Sequence, residues 1–197
     1  MANIRKSIDY LFISKVRIKS LRYFMFHPEV PIHLRGAVRE FSEEINAVRR
    51  ELNRLEEIKL LITEKRGNRK YYSLNKEHPY FEDLLGLIHK TFGLGGDIVK
   101  SSSKLGELKY AVLTSSFTRG VPLEPNDVDL VLIGDLNLDL LGEIISNAEK
   151  RIGKEINYTV LSESDFEIRK KRRDTFVYNL VLGNHILLVG DRLTFVN

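Results

Sequence analysis

The chain contains no cysteine. Disulfides, zinc–thiolate sites and thiol catalysis are excluded, and thiolate-based metal sensing with them. This fits a reducing compartment, and a cytoplasmic location is the expectation. No apolar run approaches the roughly 20 residues a helix needs to span a bilayer, so no membrane contact is expected. The first 20 residues have charges scattered through them and no uninterrupted apolar core, which argues against a secretory signal. The five histidines, His27, His33, His78, His89 and His185, stand apart with no metal-ligand spacing, and structural roles are expected for them. There is no internal repeat.

What is present is a globular mixture of 197 residues, 43% apolar and 29% charged. That length suits one large domain or two small ones of roughly 100 residues each. The net charge of +4 conceals an asymmetry. Residues 1–95 carry 18 Lys and Arg against 12 Asp and Glu, whereas residues 96–197 carry 13 against 15. The basic half is the candidate for a polyanionic partner.

Residues 14–26 read as a helix with Val16, Ile18, Leu21, Phe24 and Met25 on its apolar stripe, stopped by Pro28. Residues 34–41 form a second, short helix. Ser42, just before Glu43 and Glu44, reads as the cap of a third, which runs to about Lys59 with Ile45, Val48, Leu52 and Leu55 on one face. Two strand-like runs, residues 60–65 and 69–74, flank a glycine-containing turn. A further amphipathic helix covers residues 80–92. Its face of Tyr80, Phe81, Leu84, Leu85, Ile88 and Phe92 suits either a dimer contact or packing within the chain. Gly93, Gly95 and Gly96 place a domain boundary there, giving domains 1–93 and 94–197, and Ser101-Ser102-Ser103 is a candidate loop. The second half alternates strands (108–114, 128–133, 156–161, 185–189) with helices (138–152, capped by Asp135 or Asn137, and from Ser162 to about Leu180), the pattern of a mixed α/β sheet domain.

The order helix, helix, helix, hairpin puts Asn46, Arg49, Arg50 and Asn53 on the polar face of the third helix and Arg66, Arg69 and Lys70 at the hairpin. Arg can pair with guanine and Asn with adenine in the major groove, and hairpin cations suit phosphates or the minor groove. Lys15, Arg17, Lys19 and Arg22 are further candidates for backbone contacts. The segment 14–74 resembles the winged helix-turn-helix family that includes arsenic-repressor-type regulators, through Asn46-Ala47-Val48-Arg49-Arg50-Glu51-Leu52 and the basic hairpin. The resemblance implies binding of double-stranded DNA, as a homodimer on two half-sites.

The second half carries Ser115-Ser116-Phe117-Thr118-Arg119-Gly120, six residues, and then Asp127-Val128-Asp129 at the head of an apolar run. Two carboxylates one residue apart on a strand share a face and form hard oxygen ligands suited to magnesium. A small-residue turn after a strand offers N–H groups and hydroxyls to a triphosphate. Ser115, Ser116, Arg119 and Gly120 are therefore the nucleotide-binding candidates, and Asp127 and Asp129 the catalytic and metal candidates. Over residues 105–190 the element order and these motifs resemble the minimal nucleotidyltransferase family, which implies NTP and Mg2+ as ligands. Two positions depart from that family: Ser115 stands for its leading glycine, and Asn157 stands where its third carboxylate is expected, with Glu155 two residues away. The basic run Lys170-Lys171-Arg172-Arg173 suits phosphates or a solvated face.

The expectation is a two-domain protein: an N-terminal winged helix, mostly α with a β-hairpin, and a C-terminal nucleotidyltransferase-like sheet domain. Its first functional reading is a DNA-binding regulator whose second domain binds nucleotide and Mg2+ or mediates assembly. The alternatives are an active Mg2+-dependent nucleotidyltransferase with a hydroxyl acceptor, or an antitoxin-type module with a protein partner.

Overall fold

A computed structural model describes residues 4–119 and 128–197. The chain divides into two compact units, Met1–Ile88 and His89–Asn197.

The first unit opens with α1 (Ile4–Leu11) and α2 (Lys15–Phe26). Ser14 caps α2, its hydroxyl accepting the Arg17 N–H at 3.3 Å. The short strand β1 (Ile32–His33) leads into α3 (Leu34–Phe41) and α4 (Ile45–Glu57), and the hairpin β2 (Leu61–Arg66) and β3 (Arg69–Leu74) follows. All pairing is antiparallel in the order β1-β3-β2. Most of the expected stripes are buried, Ile18, Leu21, Phe24 and Met25 with Ala37, Phe41, Val48, Leu52 and Leu55, whereas Ile45, at the start of α4, is exposed. Ser42 does not cap α4. It takes a left-handed conformation (φ 51°) ending α3, and Glu44 is the cap, accepting the Ala47 N–H at 2.9 Å. Hydrogen bonds from the Asn46 and Ala47 N–H groups hold the Glu44 carboxyl below the usual carboxylate range.

Helix α5 (Phe81–Thr91) carries the chain across the division. Phe81, Leu85, Ile88 and Phe92 are buried within the single chain, which leaves Tyr80 as the one strongly exposed member of the face considered for dimerisation. The glycines after it are not a linker. Gly93–Ser101 is helix α6, and Ser102–Lys104 a 3₁₀ turn. A Cβ at Gly95 or Gly96 would lie 2.3 or 2.5 Å from the His89 or Thr91 carbonyl oxygen, so these glycines serve close helix packing.

The sheet of the second unit comprises β4 (Gly106–Thr114), β5 (Leu130–Leu136), β6 (Tyr158–Leu161) and β7 (His185–Val189). Their order is β6-β5-β4-β7, with β5 parallel to β6 and antiparallel to β4, and β4 antiparallel to β7. It is therefore a mixed sheet. The remaining helices are α7 (Ser115–Arg119), α8 (Leu138–Ile152), α9 (Glu163–Lys171), α10 (Thr175–Leu182) and α11 (Arg192–Val196). Asn137, rather than Asp135, caps α8. The single helix expected from Ser162 to Leu180 is two, broken where Arg173 turns to φ 53° and Asp174 caps α10. Tyr110, Val112, Val131 and Ile133 face Phe166, Val177, Leu180 and Phe195 in one core. Ala111, Leu113, Leu130 and Leu132 are equally buried, so both faces of the central strands are covered. That explains the continuous apolar run at β5. Among the described residues no helix is long and apolar enough to cross a membrane.

Candidate active site

Asp129 lies one residue before β5 and is fully buried. The reason is its neighbours: β5 runs in parallel with β6, and the chain entering β6 closes over the carboxylate. The Asn157 N–H donates to Asp129 Oδ2 at 3.0 Å, and the Asn157 carbonyl accepts the Asp129 N–H at 2.7 Å. Asp129 Oδ1 is 3.8 Å from Lys154 Nζ. Burying an ionised carboxylate is costly unless hydrogen bonds and a counter-charge compensate, and both are supplied here.

On the other side, β4 ends at Thr114 and α7 begins at once with Ser115. The Thr114 hydroxyl donates to the Val128 carbonyl at 2.5 Å and lies 2.9 Å from the Ser116 hydroxyl. Thr114 thus ties the candidate serines to the approach of β5. The expected small-residue turn is instead the first turn of a helix. Ser115 does not adopt a positive φ, so this position needs no glycine conformation. Of the other candidates, Arg119 ends α7, while Gly120 and Asp127 lie outside the described residues, as does the side chain of Arg119.

Asn157 acts through its backbone. It and Glu155 precede β6 rather than lying on it, and both side chains are exposed, so neither stands as a strand-borne third acid. Lys154 is the residue that sequence reasoning missed. Its partnership depends on the pairing of β5 with β6, which no local pattern announces; the only signal was a lysine directly after the helix-ending Gly153.

The donors gathered here are oxygens, the type magnesium prefers. Asp129 has one oxygen fixed by an N–H and the other aimed at a positive group, which is how a carboxylate is set to receive a cation. Asp129 therefore offers oxygens of the kind Mg2+ takes. Among the described residues no three His, Cys, Asp or Glu side chains gather as a metal cluster.

The nucleic-acid candidates sit on α4 and the hairpin, and most are engaged locally. Arg49 donates to Asn46 Oδ1 at 2.7 Å, and Tyr72 to Asn53 Oδ1 at 3.4 Å. Arg66 pairs with Glu64 at 2.9 Å and lies 5.2 Å from the Tyr71 ring centre. Lys70 pairs with Glu56 at 2.5 Å and lies over Tyr72. Arg17 and Lys19 are committed to Glu51 and Glu43. Arg50 and Arg69 form no salt bridge among the described residues. In the basic run, Lys170 is structural: its ammonium donates to the Thr194 and Phe195 carbonyls at the end of α11.

A curated protein of Methanocaldococcus jannaschii, named a putative protein adenylyltransferase, is 29% identical over 82 residues, 42% of this chain and 80% of its own length. This relationship supports a nucleotidyltransferase-like element in the chain. No family model matches. Among solved structures, human N-acetylserotonin methyltransferase with SAM aligns at 18% identity over 64% of this chain and 39% of that one; its TM-score of 0.29 carries no argument.

Proposed function

We propose that this chain is a Mg2+-dependent nucleotidyltransferase that moves the NMP group of an NTP, ATP in the first instance, to a hydroxyl acceptor. The observation that carries this reading is Asp129, buried, hydrogen-bonded by the Asn157 N–H and placed beside Ser116 through Thr114. The similarity to an archaeal protein named for protein adenylylation suggests a hydroxyl of a protein as the acceptor. In this reading Asp129 and Asp127 hold Mg2+, and Ser115, Ser116, Arg119 and Gly120 receive the triphosphate. The bound ion would neutralise phosphate charge and favour ionisation of the attacking hydroxyl. The acceptor oxygen then bonds to the α-phosphorus, the bond to the bridging oxygen breaks, pyrophosphate leaves and the hydroxyl proton passes to solvent. What the protein supplies is position: a carboxylate that cannot swing, and a helix start tied to it.

The test is transfer of α-labelled ATP to total protein, with wild type against Asp129→Asn. Loss of label by about 100-fold is expected, the scale of removing one electrostatic element of such a site. Equal labelling by both proteins would end this reading.

A second reading draws on the first unit, where the last three of four helices, α2, α3 and α4, are followed by a hairpin in a sheet of order β1-β3-β2. That is the element order of a winged helix, and residues 1–93 would form a domain binding double-stranded DNA through α4 and the β2–β3 hairpin. Residues 94–197 would form the transferase domain. A homodimer belongs to this reading.

A further inference from the structure

Lys154 is not brought to Asp129 by chance of a long side chain on an open surface. The segment that carries it is fastened at both ends. Gly153 ends α8 in a left-handed conformation (φ 72°), its N–H bound to the Glu149 carbonyl at 2.7 Å. The Glu149 side chain then accepts the Ile156 N–H at 2.9 Å, and the Asn157 N–H donates to Asp129 Oδ2 while its carbonyl accepts the Asp129 N–H. Between these fixed points Lys154 reaches Asp129 Oδ1 at 3.8 Å, with its own side chain 48% exposed and the carboxylate 0%. One partner is immovable and the other is free to leave.

We propose that Lys154 is an exchangeable counter-ion: it neutralises Asp129 when no divalent ion is bound, and turns to the phosphate oxygens of the nucleotide when an ion takes the carboxylate. This rests on the reading of Asp129 as an ion ligand. The physical argument is competition. A divalent ion arriving at Asp129 must displace the ammonium and then tolerate its charge nearby, which lowers ion affinity in the absence of nucleotide. A triphosphate brings negative charge that the displaced ammonium satisfies, so ion and nucleotide favour each other's binding. Lys154 is in this account a positioning residue for substrate, and it biases the site toward the ion–nucleotide pair over either alone.

The experiment is titration of the full chain with Mn2+ alone, followed by its paramagnetic resonance signal, on wild type, Lys154→Met, Lys154→Arg and Asp129→Asn. Lys154→Met is expected to bind Mn2+ about fivefold or more tightly than wild type, the lower end of ordinary coupling between sites. Lys154→Arg should stay near wild type because it keeps the charge, and Asp129→Asn should lose the binding. ATP binding at saturating Ca2+, read by calorimetry, should weaken about fivefold or more in Lys154→Met. Equal Mn2+ affinity in wild type and Lys154→Met, with Asp129→Asn inactive in binding, would overturn the counter-ion role and leave the transferase reading standing. Unchanged ATP affinity would overturn the handover to phosphate. No Mn2+ binding by wild type or Lys154→Met would overturn both this inference and the reading beneath it.

Discussion

His185 begins the edge strand β7 with its ring half-buried, edge-on to Phe195 at 5.3 Å between centres. Burial pushes its pKa below the ordinary value; a hydrogen bond between Nδ1 and the Gly183 carbonyl opposes this without reversing it. The unfolded chain therefore binds a proton at higher pH than the folded one does. Stability from this residue is complete above the unfolded value near 6.5 and is lost as pH falls below it, toward the lower folded value. Urea melts at pH 7.5 and pH 5 should show a smaller loss of stability on acidification in His185→Gln than in wild type, and an equal loss would contradict the assignment. Other single residues differ in how far sequence announced them. Asp129 was legible because an acid at the head of an apolar run demands compensation. Lys154 and the backbone role of Asn157 were not, because both arise from one strand's placement beside another. The departure at Ser115 was legible, but that its backbone needs no positive φ required the observed helix start.

At the scale of elements, α2 and α4 are joined by a charge pair inside the first unit. Glu51 is 2% exposed and receives Arg17 at 2.6 and 3.3 Å, while Arg54 stands 3.8 Å away. Removing the acid strands a guanidinium in a place built for it, and a hydrogen bond to a charged group is worth about 1.5–3 kcal/mol. Glu51→Gln is thus expected to lower unfolding stability by about 1–3 kcal/mol in urea melts, and the double variant Arg17→Met/Glu51→Met to cost less than Glu51→Gln alone. A Glu51→Gln value within about 0.5 kcal/mol of wild type, the range of inert surface changes, would show the pair to be incidental. Sequence placed α2, α3, α4 and the hairpin well because each has its own period and punctuation. It gave no sign that Glu51 would be buried, since the partner on α2 is remote in the chain. That Gly93, Gly95 and Gly96 lie in a helix was not legible, because a glycine kept for close packing looks the same in sequence as one kept for freedom. The break before α10 was hidden for a similar reason: Arg173 is an unusual residue to hold a left-handed turn.

For the whole molecule, the question is whether the basic half and the acidic half do separate work. Much of the positive charge in the first unit is already answered by Glu43, Glu51, Glu56 and Glu64. The pairs to Glu43, Glu56 and Glu64, unlike the buried one to Glu51, are largely exposed; such pairs are worth little, about 0–1 kcal/mol, and a phosphate can displace them. Among the described residues Arg50 and Arg69 have no such pair to give up, so they should contribute most to any contact with duplex DNA. If the second reading holds, affinity for DNA will fall steeply with salt, and Arg50→Ala/Arg69→Ala will weaken it while leaving label transfer from ATP intact. Asp129→Asn should do the opposite, abolishing transfer and sparing DNA binding, because the two sets of residues belong to different units. Filter binding across a range of salt, run beside the labelling assay on the same four proteins (wild type, each variant and the combination), gives the answer. Wild type that shows no salt-dependent retention of DNA would remove the winged-helix reading and leave the transferase alone. Loss of both properties from either variant would mean that the two activities share one site, and the assignment of each to its own unit would fall.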